Sequence, residues 1–174
     1  MDNYKFSSAL HQIWTAALEK YQAGNREPGS YFEPATLELL ASVGLGPMDV
    51  YDYVEDFAGG GEPDFGTFLL ICAARRDYFI HIQHSEPSTA KIAVDDLPAK
   101  DAQLDGITWL PRILPKARGK LAGELPSEIM YCCGGDRRFL RESNIEPSEF
   151  LRVVWAAGDD DQKVLEFVKS RRNA

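Results

Sequence analysis

The sequence predicts an all-α fold, a single domain over residues 1–174 with about seven helices. Apolar residues recur at three- and four-residue steps through most of the chain, which is the period of an amphipathic helix. Glycine, asparagine and proline interrupt these stretches where helices end and begin. A strand composition occurs only at residues 91–94, where we allow for a short two-stranded element. A chain of 174 residues with 44% apolar content is large enough for one core.

The helices follow in order from this pattern. The first is predicted over residues 5–23, where one apolar stripe runs up to Gly24. A loop over residues 85–105 divides the later helices, and a loop of this length is usually functional or wraps the surface. The later helices are predicted over residues 35–43, 47–57, 64–83, 111–121, 136–143, 147–157 and 161–172.

Two helix-turn-helix segments match each other at a spacing of 100 residues. The identical pairs are Leu40 and Leu140, Pro47 and Pro147, and Val54 and Val154. Gly44 and Asn144 occupy the helix ends, and both residue types tolerate the left-handed conformation found there. We hypothesise repeated units over 35–83 and 136–172, with the helices at 5–23 and 109–121 filling the space between them. The alternative is that helix-turn-helix linkers converge on this chemistry without common ancestry.

The charge of the chain is uneven. Its net value of −8 makes nucleic acid an unlikely partner, because an acidic protein repels the phosphate backbone at long range. Residues 1–64 carry 11 acidic and 3 basic side chains, whereas residues 106–141 carry 3 acidic and 7 basic ones. The sequence therefore predicts a basic island, residues 106–141, on an acidic molecule.

The predicted cellular location depends on the apolar segments, the N-terminal residues and the cysteines of the chain. No apolar run approaches the roughly 20 residues that a bilayer span requires, and the first residues lack the features of a signal peptide. Cys72, Cys132 and Cys133 form an odd set without metal-ligand spacing, so we interpret all three as reduced thiols. We predict a cytoplasmic protein without a membrane contact, a metal or another cofactor.

Three short patterns lie within the basic island. They are Leu110-Pro111-Arg112, then Lys116, Arg118, Leu121 and Gly123, then Tyr131, Cys133, Asp136, Phe139 and Leu140. This set resembles a bacterial family of uncharacterised proteins that is catalogued only as a domain of unknown function. The resemblance covers the chain from about Gly106 to its end. It implies a bacterial cytoplasmic protein, and it implies no activity, cofactor or catalytic residue.

The basic island also predicts a binding site by its own chemistry. Arg112 and Lys116 lie four residues apart on a predicted helix, so their like charges share a face and require an anion or carboxylate. We hypothesise a cytoplasmic binding domain for a small anionic or phosphorylated ligand. The predicted ligand-binding residues are Arg112, Lys116, Arg118, Tyr131, Asp136 and Arg137. The simpler interpretation is that these bases pair with the acidic N-terminal half and hold the domain together. The alternative function is a protein–protein interaction module without catalytic activity, whose acidic N-terminal face or basic island contacts a partner protein.

Three further patterns are weighed against simpler interpretations. Asp77, His81 and His84 have a spacing that could chelate a metal on one helix face, but one face supplies at most three ligands, and we interpret them as ordinary side chains. The glycine run at residues 59–61 lacks the Lys-Ser/Thr pair of a phosphate loop, and we interpret it as a turn. Cys133 could act as a nucleophile, but no histidine is near it in sequence, and we interpret it as a partly buried structural thiol.

Overall fold

The computed structural model describes residues 2–173 and is predominantly α-helical. The predicted all-α class is confirmed: the described residues form eight α-helices, one at each predicted helical segment, against an expected total of about seven. The chain divides into two compact units, Met1–Pro87 and Ser88–Ala174, each of which we describe separately. The prediction of one domain over residues 1–174 stays a prediction. No helix within residues 2–173 combines the length and the apolar character needed to cross a membrane.

The first unit contains four α-helices. They are α1 (Phe6–Gln22), α2 (Pro34–Ala41), α3 (Met48–Gly60) and α4 (Phe65–His81). Helix α1 packs against α3 and α4, because its predicted apolar stripe is buried. At the centre, the indole of Trp14 contacts the rings of Phe57, Phe65 and Phe68, with centroids 5.7, 5.9 and 4.7 Å away. Aromatic pairs in edge-on or tilted arrangements of this kind stabilise a core beyond the area that they bury.

The second unit also contains four α-helices, preceded by a hairpin. They are α5 (Leu110–Ala122), α6 (Gly134–Glu142), α7 (Pro147–Ala157) and α8 (Asp161–Arg172), and the hairpin strands are β1 (Gln103–Leu104) and β2 (Ile107–Thr108). Helix α5 packs against α7, and α7 against α8. The antiparallel strands turn at Asp105 and Gly106, whose φ values of +49° and +77° are those that an Asp-Gly hairpin turn requires.

The short two-stranded element allowed for at residues 91–94 forms instead at residues 103–108. Residues 91–94 belong to a strap, residues 88–98, that runs along α5. The N–H of Ile92 donates to the carbonyl of Glu124 at 3.0 Å, and the ammonium of Lys91 donates to the carbonyl of Gly123 at 2.9 Å. A Cβ at Gly119 would lie 2.5 Å from Cδ1 of Ile92, so the absence of a side chain there makes room for the strap. The β-branched residue that suggested a strand instead packs on a helix.

The two units repeat each other more extensively than predicted. The left-handed turns match, since Gly44 and Asn144 have φ values of +73° and +52°. The N–H of Leu45 donates to Leu40 at 3.0 Å, and that of Ile145 donates to Leu140 at 2.9 Å. The same spacing of 100 residues also relates α1 to α5. The identical buried pairs are Leu10 and Leu110, Ile13 and Ile113, Ala17 and Ala117, Tyr31 and Tyr131, Leu40 and Leu140, and Val54 and Val154.

The two helices related by this spacing also pack alike. Helix α1 packs on α3 and helix α5 packs on α7, which is in each case the third helix of the same unit. The fourth helices follow a spacing of 96 residues, and both begin at a capping aspartate. Asp64 accepts a hydrogen bond from the N–H of Thr67 at 2.8 Å, and Asp160 accepts one from Lys163 at 3.3 Å. A common spacing across three helices and their loops exceeds what turn chemistry alone requires, so it favours a four-helix repeat.

Candidate functional site

The carboxylate of Asp136 lies at the centre of a buried polar cluster in the second unit. Asp136 is 0% exposed and lies in the first turn of α6. Its Oδ1 accepts from the indole N–H of Trp109 at 2.9 Å, and its Oδ2 accepts from the backbone N–H of Cys132 at 2.9 Å and from the ammonium of Lys116. The Asp136 carboxylate is therefore hydrogen-bonded to the start of α5, to the middle of α5 and to the loop before α6.

Two of these donors have strained backbone. Trp109 and Cys132 have φ values of +75° and +69°, a region that costs a residue with a side chain about 1 kcal/mol or more. Both residues donate a hydrogen bond to Asp136, and these hydrogen bonds offset the cost of the strained conformation. The indole of Trp109 also packs directly on Gly135, where a Cβ would lie 2.3 Å from Cζ2 of the ring. Gly135 thus permits the approach that brings Trp109 to Asp136.

Lys116 connects this cluster to a thiol. Its side chain is almost fully buried, and its Nζ pairs with Asp136 and lies 3.2 Å from Sγ of Cys133. Burying an ion pair costs desolvation that mutual attraction offsets only when further hydrogen bonds satisfy both groups. Asp136 meets this condition with its two additional donors. Cys133 is half-buried, whereas Lys116 and Asp136 are almost fully buried.

The two cysteines of the loop before α6 differ in environment. Cys132 is fully buried, and burial raises the pKa of its thiol to about 12. Cys133 is the N-cap residue of α6 and its side chain makes no capping hydrogen bond. The sequence-based interpretation of a partly buried thiol agrees with this burial, but the charged neighbour that contacts Sγ is Lys116 from α5, which sequence proximity could not indicate.

The start of α6 presents backbone donors to an exposed surface. Helix N-termini leave their first N–H groups without intrahelical acceptors. Within residues 2–173, no side chain caps α6, and Gly134 is exposed while Gly135 is half-buried. A Cβ at Gly134 would lie 3.9 Å from the guanidinium of Arg137, which itself donates to the carbonyl of Cys132 at 2.7 Å. A cationic side chain therefore lies beside the positive end of the helix dipole.

The other predicted ligand-binding residues contact backbone carbonyls elsewhere in the unit. Arg112 donates to the carbonyl of Pro98 at 2.6 Å, and so holds the strap. Arg118 donates to the carbonyl of Gly158 at 3.0 Å and pairs with Asp161. The acidic partners of Lys116 and Arg118 are Asp136 and Asp161, which both belong to the second unit.

Tyr131 has a structural contact in this unit. Its hydroxyl donates to the carbonyl of Pro147 at 2.8 Å, and burial raises the pKa of this hydroxyl well above its ordinary value. Of the six predicted residues, the structure brings Lys116 and Asp136 into direct contact and places Arg137 at the same helix start. Trp109, Cys133 and Gly135 complete the cluster, and the Gly-Gly pair before Asp136 is the sequence signal that could have indicated a close approach.

The spacing of 100 residues supplies an internal comparison. The positions of the first unit that match the cluster hold apolar or unrelated residues. Trp109, Lys116, Cys133 and Asp136 correspond to Ala9, Ala16, Glu33 and Thr36. Since the first unit forms the same four helices with these residues, the four-helix arrangement does not require the polar cluster.

Residues 96–174 match a known family model, described as Domain of unknown function (DUF5069). This match confirms the resemblance predicted from residues 106–140. No curated protein and no solved structure matches the chain. The DUF5069 segment contains every residue of the polar cluster, the hairpin and helices α5 to α8, whereas residues 88–95 of the strap precede it.

The charge divides between the units. Residues 1–87 carry 13 acidic and 5 basic side chains, which accounts for the whole net charge of −8. Residues 88–174, which include the DUF5069 segment, carry 14 of each sign. The acidity is thus a property of the first unit, and the basic island lies in a unit of balanced charge.

Proposed function

We propose that the DUF5069 segment binds a small anionic ligand, of the phosphate or carboxylate type, at the start of α6. One observation carries the proposal: the second unit holds a buried polar cluster at a place where the matching first unit forms the same helices without one. A cluster that the helices do not require, held by two residues with strained backbone, is typical of a functional site.

The components of such a site have separate roles. The N–H groups of Gly134 and Gly135 supply the donors that commonly bind phosphate at helix starts. The guanidinium of Arg137 supplies a charge that can bind an anion through two parallel hydrogen bonds. Asp136 and Lys116 neutralise each other behind this surface, so that the carboxylate does not repel the ligand.

Amide chemical shifts would test the proposal directly. We expect inorganic phosphate to shift the Gly134 and Gly135 amide signals of the full chain in a ¹⁵N-resolved spectrum, saturably and more than other glycines. Glycine amides are suited to this test because no side chain obscures the contact. If no added phosphate, sulfate or nucleoside monophosphate moves these two signals, the proposal is wrong.

A matched pair of variants adds a second measurement. Arg137→Gln removes the charge beside Gly134, whereas Arg118→Gln removes an equal charge whose contacts are Gly158 and Asp161. We expect phosphate to raise the Tm of wild type and of Arg118→Gln, and to raise that of Arg137→Gln much less. An equal response of the two variants would show that the basic island acts only by its general charge.

The location and the alternative function belong to the same proposal. We propose a cytoplasmic, bacterial protein, since Cys133 would keep its free thiol in a reducing compartment. The interaction-module alternative is supported by the acidity of the first unit, which accounts for the whole net charge of −8 and could contact a basic partner protein. A negative result in both anion tests would leave this alternative as the better one.

A further inference from the structure

We propose that Cys133 and Lys116 form a redox-responsive pair that closes into a covalent S–N cross-link when hydrogen peroxide oxidises the thiol. This inference goes beyond anion binding, because it concerns the side-chain chemistry of the cluster. The two reacting atoms are 3.2 Å apart, which is the separation of a near-attack arrangement. Cys133 is half-buried, so part of this residue is open to solvent and to a small oxidant, whereas Lys116 is almost fully buried.

The chemistry balances in two steps. The sulfur of Cys133 attacks one oxygen of the peroxide, the O–O bond breaks, and the products are a sulfenic acid and one water. The ammonium of Lys116 then passes a proton to Asp136, whose Oδ2 it contacts. The amine attacks the sulfur, the S–O bond breaks, and the leaving hydroxide takes a second amine proton as water. The product is a sulfenamide; two electrons have passed from the thiol to the peroxide, and Asp136 releases its proton to solvent.

The neighbours of the pair favour this outcome over others. Cys132 is the competing nucleophile, but it is fully buried and its backbone N–H is bound to Asp136. Lys116 is almost fully buried, so the nitrogen side of the S–N bond is shielded from bulk water. The cross-link would join α5 to the start of α6 covalently, and a thiol such as dithiothreitol would reopen it by forming its own disulfide.

Mass spectrometry of the full chain tests the proposal. We expect peroxide-treated protein to lose two hydrogen atoms per chain, to yield a peptide that contains both Lys116 and Cys133 joined together, and to regain both hydrogens in dithiothreitol. Trypsin should fail to cleave after Lys116 in the oxidised form. A product limited to sulfenic or sulfinic acid at Cys133, or a bridge between Cys132 and Cys133, would overturn the proposal.

Two variants serve as controls. Cys132→Ser should keep the loss of two hydrogens, because it removes only the competing thiol. The double variant Lys116→Ala with Asp136→Thr installs the residues of the matching positions in the first unit, Ala16 and Thr36, and leaves neither buried charge alone. It should retain Cys133 and lose the cross-link. The wild-type peptide map decides the question by itself if this double variant does not fold.

Discussion

Gly135 lies where the indole of Trp109 comes nearest to the backbone of α6, and a single methyl group would fill that space. The neighbouring Gly134 has open space instead, since a methyl carbon added there would meet only the Arg137 guanidinium, at 3.9 Å. Adjacent glycines in one helix turn therefore carry different constraints. At the residue scale, the cluster depends on one close approach and one buried charge pair.

We expect Gly135→Ala to lower the free energy of unfolding by about 1–3 kcal/mol, since overpacking displaces a ring that is also hydrogen-bonded. Gly134→Ala should change it by less than about 1 kcal/mol, in either direction. Urea unfolding followed by tryptophan fluorescence would measure both. Equal effects of the two substitutions would contradict the contact between Trp109 and Gly135.

Thiol accessibility gives a second expectation at this scale. Cys133 is half-buried, whereas Cys72 and Cys132 are fully buried and the pKa of Cys132 is raised to about 12 by burial. We expect iodoacetamide to alkylate Cys133 first in the folded protein, and Cys132 and Cys72 only after unfolding. Peptide mapping against reaction time would measure the order; early modification of Cys132 would contradict it.

At the scale of elements, the two units use the same devices to end and begin helices. The turn between α2 and α3 matches the turn between α6 and α7. Each has a residue with positive φ, Gly44 or Asn144, and each is closed by a hydrogen bond from the next N–H to the carbonyl of Leu40 or Leu140. The surroundings of these turns differ, however. A Cβ at Gly44 would lie 2.5 Å from the ring of Phe79, whereas the side chain of Asn144 is exposed.

This difference predicts that exchanging the two residue types changes the Tm at one turn and not at the other. Asn144→Gly should leave the Tm within a few degrees of wild type, because glycine adopts the same φ at little cost. Gly44→Asn should lower the Tm markedly, because the new side chain clashes with Phe79 although asparagine tolerates the backbone. Calorimetry of the two variants would measure the shifts, and similar losses would indicate that the backbone alone sets the cost.

The cap of α4 makes stability depend on pH. Asp64 accepts from the N–H of Thr67, and this hydrogen bond lowers the pKa of the carboxyl in the folded state. A lowered folded pKa stabilises the protein above the unfolded value of about 3.9, and this stability is lost as the pH falls through the folded value. We expect Asp64→Ala to cost about 1 kcal/mol near neutral pH and progressively less below about pH 4. A cost that does not change with pH would contradict this origin.

At the scale of the molecule, each unit buries its own apolar residues. Helices α1, α3 and α4 enclose Trp14 in the first unit, and α5, α7 and α8 pack together in the second. A chain of about 87 residues is long enough to form a core without staples. The second unit also carries balanced charge, which removes one source of self-repulsion.

We therefore expect residues 88–174 to fold when expressed alone. Far-ultraviolet circular dichroism should show a helical spectrum and a single cooperative thermal transition. A fragment starting at residue 96, which lacks the first part of the strap, should melt at a lower temperature because Ile92 no longer covers Gly119. A fragment 88–174 without a cooperative transition would contradict the autonomy of this core.

The sequence by itself determined the positions of the helices, to within a few residues at their ends, and the resemblance of the C-terminal segment to a domain of unknown function. These features are local. The helix period, the capping residues and the positive-φ positions Gly44 and Asn144 each depend on residues only a few positions apart in sequence. No strand forms at 91–94 because Ile92 packs on a helix distant in sequence, whereas the Asp105-Gly106 turn is a local sequence signal for the hairpin that does form.

Only the tertiary structure decided which polar residues belong together. Sequence reasoning grouped the bases by their spacing along the chain, yet Arg112 and Arg118 bind backbone carbonyls, and Lys116 meets Asp136 and Cys133 across two helices. Contacts between side chains 17 and 20 positions apart depend on how helices pack, and helix period does not contain that information. The same packing shows that α1 and α5 have equivalent places in the two units, because each buries its apolar face against the third helix of its own unit.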